Sequence, residues 1–165
     1  MQFAKDSFYM ALRSRLAVVN PLRSVTLAGV VRPAVYVAEN EPVTAAAPPS
    51  ECFAIAFGGA QAVPEMSGAA RPLIALECEV AYRTAGTSAG SSTDRGRTLA
   101  ALDLELLQMC APPSAAKQDF TQSTPVALGT EVLWQRPQLG PVQQAGDELR
   151  RTAKTTLFFY PEMDL

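Results

Sequence analysis

Hydrophobic positions recur at helical spacing near the start of the chain, where Phe8, Leu12, Leu16 and Val19 form a stripe and Lys5, Arg13 and Arg15 lie off it. The pattern predicts an amphipathic helix that stops at Asn20-Pro21, because the residue before a proline is pushed out of the helical region. A turn through Ser24 to Gly29 then leads to RPAVYVAEN, weakly alternating and rich in β-formers, which predicts a strand. The next segment, EPVTAAAPPS, reads as an exposed loop, since its prolines cannot donate to a central ladder. ECFAIAF is short and apolar and predicts a second strand, joined by the long connection GGAQAVPEMSGAARP to a third.

That third strand, LIALECEVAYRT, alternates with period two. Ile74, Leu76, Cys78, Val80 and Tyr82 fall on one side, and Ala75, Glu77, Glu79, Ala81 and Arg83 fall on the other. One face suits a core and the other suits water. TAGTSAGSST is a flexible link to the second helix. There Leu99, Leu102, Leu106 and Met109 make a stripe opposite Asp103 and Glu105, with Thr93 or Asp94 placed to cap it and Pro112-Pro113 to stop it. The polar run from Ala111 to Gly129 reads as a loop, EVLWQRP as a short strand and LGPVQQAGDE as another loop. RRTAKTTLFFYPEM closes the chain as a strand, with Ala153, Thr155, Leu157 and Phe159 on one face and Lys154, Thr156, Phe158 and Tyr160 on the other. These elements predict an α+β fold, a mostly antiparallel sheet with two helices packed on one face. The expectation is a single domain over 1–165 with long loops near 40–50, 58–71, 85–93 and 111–129.

At 165 residues and 48% hydrophobic content, the chain is long enough for one ordinary core. Fourteen basic and sixteen acidic residues give a formal charge of -2, which argues against a strongly basic nucleic-acid surface. The charged N-terminal segment and the lack of an apolar run of about 18 residues lead us to expect a soluble protein that is not exported. Cys52, Cys78 and Cys110 lack CxxC spacing and lie in apolar segments, as expected of buried thiols in a reducing compartment. The chain has no histidine. That removes the Ser-His-Asp triad, the Cys-His pair, the histidine general base and most transition-metal sites, so the expectation is a protein without catalytic, metal or cofactor residues.

Glu77 and Glu79 lie roughly 7 Å apart along one strand face, near the carboxylate separations of glycosidases. Alternating charge on the solvent side of an antiparallel sheet explains them more simply. The glycines of FGGAQ and TAGTSAGSSTDRGRT match neither GxxxxGK[ST] nor GxGxxG and read as loop glycines. Arg95 and Arg97 open a helix, where the dipole disfavours cations, so a partner or a nearby carboxylate is expected to compensate. Trp134 and Arg136 are residue types enriched at interface hot spots, although a single tryptophan is more often a core anchor. Glu77, Glu79, Arg83, Arg95, Arg97, Trp134 and Arg136 are therefore the candidate interface residues.

The order of elements, with RPAVYVAENE, ALECEVAYRT, LAALDLELLQM and TTLFFYPEM at its landmarks, resembles the small tail terminator (tail completion) proteins of tailed bacteriophages and related particles. The proline-rich loop and the hairpin around ECFAIAF depart from the shortest members. The resemblance implies a non-catalytic virion protein, assembled in the host cytoplasm, that forms a homohexameric ring at the neck end of the tail. Its implied partners are itself, the tail tube protein and the head-tail connector protein. DNA would pass through the lumen without specific binding, and no membrane is involved. Two other readings stay open: a further head-tail joining or tube protein of the same particle, and a small enzyme or ligand-binding domain using Glu77 or Glu79 as acid or base.

Overall fold

A computed structural model describes residues 1–41, 49–64, 71–86 and 93–162. Parts of the expected loops, residues 42–48, 65–70 and 87–92, lie outside the described residues. Helix α1 (Gln2–Val19) buries Ala4, Ser7, Phe8, Leu12 and Leu16. Val19, at the end of the predicted stripe, is instead exposed, at the last helical residue before the chain leaves the helix at Asn20. The expected turn from Ser24 to Gly29 is a hairpin of its own, β1 (Ser24–Leu27) and β2 (Val30–Pro33). Its two turn residues, Ala28 and Gly29, both have positive φ, as a two-residue hairpin turn with the twist of the strands requires.

The main sheet has eight strands in the order β3-β4-β5-β10-β7-β6, with β8 and β9 also paired to β10. β3 (Val35–Val37) runs parallel to β4 (Phe53–Ala62), and the other pairings are antiparallel. The expected loop from Gly58 is strand as far as Ala62: β4 passes Gly58 and Gly59 with a register shift and stays paired to β5 (Ile74–Thr84). Glycine lacks the Cβ that would hinder such a bulge. At the sheet's centre β5 and β10 (Glu148–Phe159) pair along their length, from Leu149 opposite Thr84 to Phe159 opposite Ile74.

The run 111–129, read as a loop, is largely strand. β6 (Ser114–Asp119) and β7 (Val126–Trp134) form a hairpin against the sheet and α1. Sequence such as SAAKQD has little intrinsic β preference, and its state is set by the partner strand. LGPVQQAGDE is likewise paired, through β8 (Gln138–Leu139) and β9 (Gln143–Ala145). Together β7, β8 and β9 act as one interrupted strand beside β10. Trp134 and Gln138 are four residues apart, whereas their partners Leu157 and Lys154 are three apart. Leu139 and Gln143 are again four apart, opposite Ala153 and Arg150. Each interruption holds a proline, Pro137 or Pro141, which has no N–H to give the ladder.

At the second interruption the Gly140 N–H donates to the Thr152 carbonyl at 3.0 Å, and a Cβ on residue 140 would lie 2.6 Å from that oxygen. Gly140→Ala is therefore expected to lower stability by about 1–3 kcal/mol, read as a shift in the urea midpoint. An unchanged midpoint would mean that the bulge moves aside freely.

Helix α2 (Asp94–Met109) lies beside α1, and both cover the same face of the sheet. Leu12, Leu16, Leu102 and Leu106 meet Leu76, Cys78, Val80 and Tyr82 of β5 and Ala153, Leu157 and Phe159 of β10 in one core. The architecture is α+β, a mostly antiparallel sheet with two helices on one face, as the alternation predicted. Arg15 fastens the helix layer to the sheet by donating to the carbonyls of Met109, Pro112 and Ser114 at 3.2, 2.6 and 2.7 Å. It thereby supplies donors where the last turn of α2 leaves carbonyls without helical partners.

Candidate functional site

The helices leave the other face of the sheet uncovered, and the first candidates lie there. Glu77 and Glu79 are exposed, alternating with the buried Leu76, Cys78 and Val80. The Lys154 ammonium forms an ion pair with Glu79 at 3.1 Å, both groups being well exposed, so the pair contributes at most about 1 kcal/mol. Glu77 stands over the Gly58 backbone of the adjacent strand. The two glutamates border a shallow groove of about 160 Å³ with Gln135, Gln138, Lys154 and Thr156. Arg83, on the same face, donates to Glu148 at 2.5 Å, and Arg150 bonds the same carboxylate at 3.1 Å. These bonds, the one from Arg83 first, hold the Glu148 carboxyl below its ordinary range.

Arg95 is not left unpartnered at the helix start. It donates to the Asp147 carbonyl in the β9–β10 turn at 2.8 Å, and Asp94 beside it supplies the negative charge that the first turn favours. Arg97 and Arg136 are exposed on different elements, α2 and the β7–β8 interruption. Trp134, offered as an interface residue, is a core residue. Its indole N–H donates to the Cys110 carbonyl at 2.9 Å, its ring meets Phe8 edge-on at 5.1 Å, and the Arg15 guanidinium lies 5.2 Å from the ring centroid. The seven candidates thus divide into an outer-face row, a corner around the β9–β10 turn, two isolated arginines and one core anchor.

No family model matches the sequence, and no curated protein matches it.

The strongest polar cluster is one the sequence does not advertise. Arg23 donates to both Glu105 oxygens, at 2.9 and 3.0 Å, and also to Glu51. Asn20, just past α1, donates to Glu105 at 2.7 Å, and Thr84, at the end of β5, donates to Glu51 at 3.1 Å. Burial alone would lower the Arg23 pKa, but the bonds and charges of Glu105 and then Glu51 outweigh it and raise the value. Its hydrogen bonds join five segments and are directed at each other, which is the signature of a structural clamp. A second, part-buried link runs from the Tyr82 hydroxyl to Asp103 at 2.6 Å, with the Arg151 guanidinium 3.2 Å from the same carboxylate oxygen. Burial, then the Asp103 carboxylate, pushes the Tyr82 phenol up.

A cavity of about 520 Å³ lies between the start of α1, the β6–β7 hairpin and the chain after β10, lined in part by Phe3, Lys117, Leu128, Thr130 and Glu162. Lys117 is 3% exposed, and its ammonium is already engaged by the Tyr160 carbonyl at 2.6 Å and Glu162 at 3.3 Å. The three cysteines are free and buried, and burial raises the Cys52 and Cys110 thiols to about 12 and the Cys78 thiol as well. Among the described residues no group of three or more Cys, Asp or Glu is placed to hold a metal ion, and no helix is long and apolar enough to cross a membrane.

The residues that sequence reasoning missed are apolar and exposed. Val18 and Leu22 are 82% and 91% exposed at the end of α1 and just beyond it, and Val30 and Val31 are 57% and 69% exposed on β2. Val18 lies about 200° round the helix from Leu16, off the core stripe, and that offset was the available signal.

Proposed function

We propose that this chain is a non-catalytic structural subunit that closes into a ring on the end of a phage tail tube. The ring stops tube growth and gives the head connector its joining surface. The carrying observation is the apolar surface that Val18, Leu22, Val30 and Val31 each leave exposed, on a chain whose main sheet has helices on one face only. A surface of this kind serves assembly better than chemistry. Glu77 and Glu79, which an enzyme reading would use, stand exposed over a groove of only about 160 Å³. The near-neutral charge suits a subunit whose lumen passes DNA without gripping it.

In this reading one ring face copies the surface of the tube end and the other refuses a further tube subunit, so growth ends by shape and charge complementarity. The test is mass in solution by light scattering after size exclusion, with negative-stain images of the same fraction. Closed rings of about six subunits are expected. Long tubes would reassign the chain to the tube itself, and a single-subunit species with turnover lost in the Glu77→Gln, Glu79→Gln double variant would overturn the reading in favour of an enzyme.

A further inference from the structure

β4 has a neighbouring strand on both sides only in its first half. On its outer side the ladder to β3 ends where the Ala38 N–H donates to the Ile55 carbonyl at 2.8 Å. Beyond that point β4 is paired only to β5, as far as Ala62 opposite Ile74. The backbone groups of successive residues in a strand point to alternate sides. Ile55 points outward at one end, and at the other Val63 points inward, its N–H donating to the Leu73 carbonyl at 2.8 Å. Counting from both ends leaves the N–H and C=O groups of Phe57, Ala60 and Ala62 facing away from β5, with no backbone partner among the described residues.

Sheet edges are commonly guarded by a lysine, a proline or a covering loop. Residues 57–62 read FGGAQA, with no charge and no proline. The register shift at Gly58 and Gly59 turns the strand but leaves Ala60 and Ala62 in their ladder with β5. On the bare face of the sheet, Glu77 overhangs this edge. A Cβ on Gly58 would lie 3.2 Å from the Glu77 Cβ and 3.4 Å from its Oε2, so the missing side chain lets the carboxylate lie across β4. Lys154 pairs with Glu79, and among the described residues no cation pairs with Glu77. On the helix side, Phe57 is half-buried with its ring 6.5 Å from that of Phe8, and Ala60 and Ala62 are exposed opposite Leu76 and Ile74.

We infer that the outer edge of β4 over residues 57–62 accepts an extended segment of another protein as an added strand. The main-chain groups of Phe57, Ala60 and Ala62 supply the ladder, and side chains set the choice of segment. Successive side chains of the incoming strand fall on opposite faces. The segment that fits therefore carries a lysine or arginine between two apolar residues. Its cation meets Glu77 over Gly58, and its apolar pair lies on the helix side beside Phe57 and Ala60. The acceptor edge does not depend on ring closure.

The test adds two peptides to the isotope-labelled full chain, acetyl-KTVKVTK-amide and the same peptide with glutamate in place of its central lysine. In the free protein the amides of Phe57, Ala60 and Ala62 are expected to exchange rapidly with solvent. The lysine peptide is expected to slow them about tenfold or more and to leave Val63, already bonded, unchanged. The glutamate peptide is expected to bind more weakly. Glu77→Gln, at an exposed position and so with an unaltered circular dichroism spectrum, is expected to cut the affinity for the lysine peptide about threefold and to remove its advantage. Rapid exchange at every concentration of the lysine peptide would overturn the proposal, and equal protection by both peptides would overturn the part given to Glu77. Amides already protected in the free chain would show an edge that is covered and overturn the acceptor role. Protection in the free chain that fades on dilution would make a second copy the occupant, in place of a foreign segment.

Discussion

Arg23→Ala is expected to lower the unfolding free energy by about 3–5 kcal/mol, the loss typical of breaking a buried ion pair from one side. The Arg23 and Glu105 side chains are only 13% and 10% exposed. Removing the guanidinium strips both Glu105 oxygens of their strongest donor and leaves Asn20 as that carboxylate's remaining side-chain donor. It also takes the arginine from Glu51, leaving that carboxylate with the Thr84 hydroxyl; Glu51 sits at a positive φ and donates its own N–H to the Arg83 carbonyl at 2.7 Å. The measurement is urea denaturation followed by the fluorescence of the single tryptophan. Arg23→Met combined with Glu105→Leu is expected to recover much of the loss, since an apolar replacement of a whole buried pair is often nearly neutral. A cost under about 1 kcal/mol for the single variant would show that water relieves the stranded carboxylates, and the clamp would lose its assigned role.

Trp134→Ala is expected to cost a similar 3–5 kcal/mol, the range for removing a large aromatic side chain from a core. Its indole is buried against Phe8, under Arg15, with its N–H committed to Cys110. Trp134→Phe keeps most of the packing but leaves the Cys110 carbonyl without the indole donor, and is expected to cost about 1–3 kcal/mol. An interface role makes the opposite forecast: unchanged stability with weakened association. Chemical denaturation and light scattering on the same samples separate the two.

The alternation in LIALECEVAYRT and in RRTAKTTLFFYPEM made the central ladder and its two faces legible, because period two has one geometric meaning once one face must be buried. The two helices were legible for the same reason, through Leu12 and Leu16 on one and Leu102 and Leu106 on the other. What sequence concealed were strands held by their neighbours. Ala115, Ala116 and Lys117 have weak β preference, and Pro137 and Pro141 look like loop punctuation until the intact ladder of β10 gathers the pieces beside it. The candidate residues fared unevenly. Glu77, Glu79 and Arg83 follow from strand parity alone. The clamp of Arg23, Glu51 and Glu105 does not, because its members lie 28 and 82 positions apart and only the folded chain brings them together.

The β5–β10 ladder also bears on the order in which the chain can fold. β4 and β5 are complete by residue 84, yet the strand that covers the other edge of β5 ends at Phe159. On the ribosome, β5 therefore waits with a row of bare N–H and C=O groups until nearly all the rest of the protein has been made. Pairings that distant slow folding, and an open central edge is a template for the wrong strand. The exposed Glu77 and Glu79 acquire a role during that interval: nascent copies that paired through β5 with Glu77 opposite Glu79 would set like charges against each other, which disfavours that register.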